Sequence, residues 1–169
     1  KRIARALDRG CLGVSYGIRY VPGIDSEELI ATAQPCKKDG KMIAAHVRSD
    51  AEEIYDAARE LMDTGKALGL PTQISHIGSM AGFGQMRSFL EMVDEARANG
   101  LDVACDCYPY YAFSTTIGST TYDPGWLERY HCDYEAIELC EGKYKGTRCT
   151  KETFEEMRRD MPECMTVCY

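Results

Sequence analysis

The stretch that decides the fold runs from Lys41 to Tyr111 and contains three short apolar runs, MIAAH (42–46), TQISH (72–76) and LDVACDCY (101–108). Each run reads as a strand that closes on a residue with functional chemistry, histidine in the first two and tyrosine in the third. An amphipathic helical pattern separates each run from the next. His46 and His76 are 30 residues apart, which is about the length of one strand-helix-strand repeat.

Alternating strands and helices predict a parallel sheet with right-handed crossovers. All strands of such a sheet point the same way, so the residues that end neighbouring strands meet at one edge. In a closed barrel that edge carries the active site. We therefore interpret His46 and His76 as candidate ligands of one metal ion. The alternative is a pair of buried, hydrogen-bonded histidines, but their repetition in register favours a metal.

Four helices are predicted in the same part of the chain from apolar periodicity and end signals, at Arg2–Arg9, Ser26–Asp39, Ala51–Leu68 and Gln85–Ala98. Asp25 and Glu28 predict a capping interaction at the second helix, and Pro35 predicts that this helix kinks or ends early. A further strand is predicted at Leu12–Gly17, and Gly78–Gly84 is predicted to be a flexible loop. The third helix has a clear apolar stripe, formed by Ile54, Ala58, Leu61, Met62 and Leu68.

The strand-helix rhythm stops in the last third of the chain. We predict a division into a partial barrel, residues 1–119, and a cap or insertion segment, residues 120–169. Ser114–Thr121 is rich in Ser, Thr and Gly and is predicted to be a surface loop. Three helical pieces are predicted in the second segment, after Asp123, at Tyr134–Cys140 and at Lys151–Asp160.

Composition narrows the classes of function. The chain has 169 residues and a formal net charge of −7, which argues against a nucleic-acid partner. No apolar run is long enough to span a membrane and no signal peptide is visible, so we expect no membrane partner. The nine cysteines are an odd number, which without a secretory segment favours reduced, cytoplasmic thiols. We expect them to act as small apolar fillers. A structural zinc cluster among the cysteines of residues 132–168 is the alternative.

Four motifs resemble those of the N-acyl-D-amino-acid deacylases, or D-aminoacylases, of the amidohydrolase superfamily. They occur in order and at similar spacing between Arg2 and about Ser119. The motifs are GVSYG (13–17) with Tyr20 and Pro22-Gly23, then Ala45-His46-Val47-Arg48, then Gln73-Ile74-Ser75-His76, and finally Asp106-Cys107-Tyr108-Pro109-Tyr110.

The resemblance implies a zinc-dependent (β/α)8 barrel that hydrolyses the amide bond of a small N-acyl-D-amino acid. It implies that His46 and His76 bind zinc and that Tyr108 and Ser114 help to hold the acyl oxygen or a bound acetate. Tyr20 is implied to meet the substrate carboxylate. From the residues alone, Tyr20 either contacts a ligand or packs over the barrel rim.

Arg48 follows the first histidine and has two interpretations. It either holds an anionic group of the substrate or pairs with a rim carboxylate such as Asp50 or Asp106. We expect its location to be near the same edge as His46.

The chain also departs from the family pattern. Gly78 stands where family members often have a lysine, which affects the expected substrate preference. The upstream His-x-His and cysteine ligands and the downstream catalytic aspartate have no counterpart, so no catalytic residue is assigned within the chain. The chain also starts at Lys1 without methionine. We therefore expect a piece of a longer enzyme with about four of the eight strands, which is itself inactive and binds zinc weakly or not at all.

Metal-assisted hydrolysis of an amide needs histidine, carboxylate and tyrosine side chains in separate roles. Neutral imidazoles hold zinc, a carboxylate moves the proton of water to the leaving amine, and a tyrosine such as Tyr108 steadies the developing oxyanion. Two alternatives stay open at this point. One is a ring-opening amidohydrolase resembling dihydroorotase or dihydropyrimidinase, although no lysine ends a strand here. The other is a non-catalytic α/β module that self-associates through exposed sheet edges.

Overall fold

Four parallel strands form the sheet that carries the two histidines. The computed structural model describes residues 1–169, except for the side chain of Asp39. The strands are β1 (Gly13–Gly17), β2 (Met42–His46), β3 (Thr72–Ile74) and β4 (Val103–Cys105). They are hydrogen-bonded in sequence order, and every neighbouring pair is parallel. This open sheet confirms the predicted α/β class and a partial barrel with half the strands of a closed one.

Helices precede and connect these strands. They are α1 (Arg2–Asp8), α2 (Ser26–Ala33), α3 (Ile54–Leu68), α4 (Gly78–Ala81) and α5 (Met86–Ala98), and the periodicity predicts all of them except α4. The Asp25 carboxylate accepts a hydrogen bond of 2.8 Å from the Glu28 amide at the start of α2. Beyond Ala33 the chain continues as a 3-10 helix, Gln34–Asp39, because Pro35 lacks the amide that a longer α-helix requires.

The largest apolar core lies between the sheet and these helices. Helix α3 buries the whole predicted stripe, from Ile54 to Leu68. The sheet contributes Ile43, Ala45 and Ile74, each with no exposed surface. One local prediction is wrong, since the segment expected to be a flexible loop begins with the short helix α4. Met80 and Ala81 of α4 are buried in the core, and this burial favours a helical turn over an extended loop.

The chain divides into two compact units, Lys1–Tyr108 and Pro109–Tyr169. The second unit contains a three-stranded antiparallel sheet with β5 (Phe113–Thr116) and β6 (Ile137–Leu139) on either side of β7 (Met165–Cys168). It also contains helices α6 (Trp126–Tyr130) and α7 (Lys151–Asp160). The functional division into a barrel, residues 1–119, and a cap, residues 120–169, stays a prediction.

Two predictions for the second unit are wrong. The segment expected to be a surface loop begins with β5, and the segment expected to be helical contains β6 after a 3-10 turn at Tyr134–Ala136. Ile137 and Leu139 are fully buried while Glu138 is half-buried, and this alternation has the period of a strand. The predicted helix with its Thr150 cap is present, since the Thr150 hydroxyl accepts a hydrogen bond from the Thr153 amide.

No helix among the described residues is both long and apolar enough to cross a membrane.

Candidate metal centre

The two histidines lie side by side at the carboxyl ends of neighbouring strands. His46 is the last residue of β2, and His76 follows the end of β3 by two residues. Their ring centroids are 4.6 Å apart, with an angle of 77° between the ring planes. Both rings are partly buried. The parallel sheet thus brings the two imidazoles together, and their role as metal ligands stays a prediction.

Burial keeps the His46 ring neutral. Its pKa is lowered from 6.5 to about 4, mainly because burial disfavours the charged form, and further because His76 and the Arg19 guanidinium are close. Arg19 itself lies near the Asp50 carboxylate, at 3.8 Å, and both side chains are largely buried. An imidazole that stays unprotonated at neutral pH keeps the lone pair that a metal ion requires.

The backbone of His76 has an unusual conformation that Asp106 supports. The φ angle of His76 is +40°, in the left-handed region that residues other than glycine rarely adopt. One Asp106 carboxylate oxygen accepts from the His76 amide at 2.7 Å, and the other accepts from the Gln73 side chain at 2.6 Å. The Asp106 carbonyl also accepts from the Ile77 amide at 2.8 Å. Asp106 therefore fixes the direction in which the His76 side chain leaves the backbone.

The His76 ring also has a hydroxyl neighbour. The Ser79 Oγ atom lies 3.2 Å from His76 Nδ1 and donates to the His76 carbonyl oxygen at 3.0 Å. Sequence reasoning did not single out this serine, and it named Asp106 only as part of a motif and as a possible partner of Arg48. Their contacts with His76 depend on the turn after β3 and on the strand pairing.

Tyr20 lies next to the histidine pair. It ends a 3-10 turn, Ile18–Tyr20, that directly follows β1. Its ring centroid is 4.9 Å from that of His46, in an edge-on arrangement, and the residue is 49% exposed. Tyr20 is therefore placed where a ligand of the histidine pair would meet it, and substrate contact stays a prediction for this residue.

Arg48 is engaged within the protein. Its guanidinium donates two hydrogen bonds to the Glu60 carboxylate, of 2.9 and 2.8 Å, and one each to the carbonyl oxygens of Pro22, at 2.8 Å, and Ile24, at 2.6 Å. Arg48 thus pairs with a carboxylate, but the acid is Glu60 of α3 and not Asp50 or Asp106. The reason is geometric, because the long Arg48 side chain reaches back over α3 and the loop after β1. Binding of an anionic substrate group stays a prediction for this residue.

Tyr108 and Ser114 are the remaining predicted substrate contacts. Tyr108 is the last residue of the first unit, and its carbonyl oxygen accepts a hydrogen bond from the Cys107 thiol at 3.3 Å. Ser114 belongs to the second unit, where it lies on β5 and its hydroxyl donates to the Thr166 carbonyl at 2.8 Å. The acyl-oxygen role stays a prediction for both residues.

The donor atoms that the first unit brings together can be compared with those that a zinc site needs. Zinc in proteins takes at least three side-chain ligands, and the histidine pair supplies two nitrogen donors of the right kind. Among the described residues, no group of three or more His, Cys, Asp or Glu side chains is placed to hold a metal ion. Cys149, Cys164 and Cys168 of the second unit are buried, and their role as apolar fillers stays a prediction.

The position of the expected lysine is filled differently in this chain. A Cβ atom on Gly78 would lie 2.8 Å from the Cys107 sulfur. A larger side chain at residue 78 therefore requires Cys107 to move. The sequence identified Gly78 as a departure from the family pattern. It did not show that Cys107 packs against this position.

Proteins with similar sequences are deacylases of N-acyl-D-amino acids. No family model matches the chain. An N-acyl-D-glutamate deacylase of Alcaligenes xylosoxydans xylosoxydans is 34% identical over 121 residues, covering 69% of this chain and 25% of that protein. A D-aminoacylase of the same organism is 34% identical over 116 residues, covering 66% of this chain and 24% of that protein. The chain spans about a quarter of the length of these curated relatives.

Solved structures of a D-aminoacylase and of an N-acyl-D-glutamate deacylase have a similar fold. A crystal structure of D-aminoacylase, described as defining a subset of amidohydrolases, matches with a TM-score of 0.81 at 23% identity, over 98% of this chain and 36% of that one. The N-acyl-D-glutamate deacylase of Bordetella bronchiseptica, complexed with zinc and a phosphonate inhibitor, matches with a TM-score of 0.78 at 25% identity, over 99% and 36%. The chain belongs to the N-acyl-D-amino-acid deacylase family.

Proposed function

We propose that this chain is the part of a zinc-dependent amidohydrolase that supplies two metal ligands, His46 and His76, for hydrolysis of the amide bond of N-acyl-D-amino acids. The observation that carries the proposal is the 4.6 Å separation of the two rings at the carboxyl edge of a parallel sheet. That edge is where enzymes built on such sheets place their active sites. The named activities of the sequence relatives support the substrate class.

The residues of this chain have distinct parts in the proposed reaction. A bound zinc ion supplies Lewis acidity toward an amide carbonyl and toward water. His46 and His76 would hold that ion, and the lowered pKa of His46 keeps it unprotonated for this purpose. The ring of Tyr20 lies beside His46, and its hydroxyl would donate a hydrogen bond to the substrate carboxylate. Tyr108 would donate to the acyl oxygen as negative charge develops there.

Two further properties belong to the proposal. We place the protein in the cytoplasm, which the nine free cysteines support, since thiols stay reduced there. We also propose that the chain by itself self-associates through β1 and β4, the outer strands of the four-stranded sheet. Unpaired outer strands present backbone hydrogen-bonding groups to other chains.

The function is tested on the longer protein that carries this sequence. The substrates are N-acetyl-D-amino acids with zinc, and the L enantiomers serve as substrate controls. We expect the variants H46Q and H76Q to lose at least roughly 100-fold in kcat/KM, more than the loss of an outer-shell partner costs. H131Q is the matched control because His131 is exposed and belongs to the second unit. Wild-type activity in H46Q or H76Q would refute the assignment of the ligands.

The isolated chain gives a complementary result. Because it brings only two metal-binding side chains together and no assigned general base, we expect no hydrolysis above the rate of a zinc-containing blank. Clear turnover by residues 1–169, abolished by H46Q, would show that the chain contains a complete active site.

A further inference from the structure

The Ser79 hydroxyl contacts two atoms of the same histidine. Its oxygen lies 3.0 Å from the carbonyl oxygen of His76 and 3.2 Å from Nδ1 of the His76 ring. The Ser79 amide also donates to the His76 carbonyl, at 3.1 Å, so that residues 76–79 form a tight turn. This turn brings the hydroxyl next to Nδ1 of the ring, and the left-handed φ of His76 is part of the same turn.

Counting protons determines which ring nitrogen carries the hydrogen. A hydroxyl has one proton, and a carbonyl oxygen can only accept. If the hydroxyl donates to the carbonyl, its own lone pair faces Nδ1, and Nδ1 must be protonated to complete the contact. If the hydroxyl instead donated to Nδ1, two acceptor oxygens would face each other at 3.0 Å with no proton between them. The first arrangement satisfies every group, and the second leaves a repulsive contact.

We propose that Ser79 is a positioning residue that fixes neutral His76 in the Nδ1–H tautomer and so leaves the lone pair on Nε2. Which nitrogen of a histidine binds a metal is set by the hydrogen bond that the other nitrogen makes. The use of this lone pair for a metal rests on the proposed function. The tautomer itself does not, because it is a property of the chain without metal or substrate.

Nitrogen-15 NMR of the imidazole rings tests the tautomer directly. The full chain has three histidines, so H46Q and H131Q assign the His76 signals. The spectra are recorded without metal, above the measured midpoint of the titration of the ring. We expect wild-type His76 to show a protonated Nδ1 and an unprotonated Nε2. In S79A, we expect the ratio of Nδ1–H to Nε2–H to fall by roughly fivefold or more, the size expected for one lost hydrogen bond.

Two further variants separate the hydroxyl from the general effects of substitution. S79T keeps a hydroxyl at the same position, and we expect it to keep the Nδ1–H tautomer. S88A is the matched control, because the Ser88 hydroxyl contacts Tyr55 and Gln85 and is not in contact with His76. Its His76 spectrum should equal that of the wild type.

A wild-type His76 that is mostly Nε2–H would overturn the proposal, as would a folded S79A chain with the wild-type tautomer ratio. Should S79A fail to fold, the wild-type and S79T spectra still decide. If the proposed deacylase function were refuted, these spectra of the metal-free chain would not change. The tautomer of His76 and the deacylase function can therefore be refuted independently.

Discussion

At the scale of single residues, the candidate site depends on how His76 is held. A left-handed φ costs of order 1 kcal/mol or more for a residue with a side chain, and it persists only where neighbouring contacts compensate. Asp106 supplies these contacts through both carboxylate oxygens and its carbonyl. Charge-assisted hydrogen bonds of this length are the stronger kind, although the carboxylate is exposed to solvent.

We predict that D106A lowers the free energy of unfolding by about 1–2 kcal/mol, because the His76 amide and the Gln73 side chain lose their acceptor. It should also shift the NMR signal of the His76 amide. Urea denaturation and amide spectra measure the two effects. D102A is the matched control, since Asp102 is also exposed and precedes β4 in the same segment. Equal stability of D106A and D102A would contradict the role given to Asp106.

His46 makes the stability of the fold depend on pH. The unfolded chain binds a proton on this residue below about 6.5, and the folded chain does so only below about 4. Between these values the unfolded state binds more protons, so stability falls as the pH falls. From pH 7 to pH 5 we predict a loss of about 2 kcal/mol from this residue.

Urea midpoints at pH 7 and pH 5 measure this loss. In H46Q the loss should be smaller than in the wild type by the contribution of His46, while the carboxylates of the chain still contribute theirs. Parallel losses in H46Q and the wild type would show that His46 titrates normally in the folded state.

At the scale of elements, Arg48 ties the end of β2 to α3 and to the loop after β1. Its side chain and that of Glu60 are 28% and 18% exposed. The carbonyl oxygens of Pro22 and Ile24 accept from the same guanidinium. Bidentate pairs with partial burial are the ion pairs that contribute measurably to stability.

A double-mutant cycle on R48A and E60A should therefore give a coupling free energy of about 1–2 kcal/mol. The cycle on R59A and D56A is the internal control, because that pair lies on the same helix and is 55% and 92% exposed. We predict about 0.5 kcal/mol or less for it. A coupling in the first cycle no larger than in the second would contradict the structural role of Arg48.

How much of each element the sequence predicts depends on its length and period. Helix α3 has 15 residues and a regular apolar stripe, so all the residues of its predicted stripe are buried. Strands β6 and β7 have only 3 and 4 residues and lie outside the strand-helix repeat that locates β3 and β4, and β7 was not predicted at all. The histidine pair followed from strand periodicity, whereas the Asp106 and Ser79 contacts depend on a turn geometry that no local pattern encodes.

At the scale of the whole molecule, the part of the chain that matches its curated relatives spans about a quarter of their length. The chain has four parallel strands. A closed barrel has eight. The first unit brings two imidazole rings together at the carboxyl edge of its sheet. A complete zinc site needs more ligand atoms than these two rings provide. We therefore expect this chain to bind zinc weakly, through both histidines at once.

A zinc titration of the full chain, followed by nitrogen-15 NMR of the histidine rings, tests that expectation most directly. We predict that His46 and His76 respond together, with one shared midpoint, while His131 does not respond in the same range of zinc concentration. Since paired ligands raise each other's effective concentration, H46Q should raise the zinc concentration needed for the His76 response by roughly tenfold or more. Separate midpoints for the two rings, or an unchanged His76 response in H46Q, would contradict the claim that they share one ion.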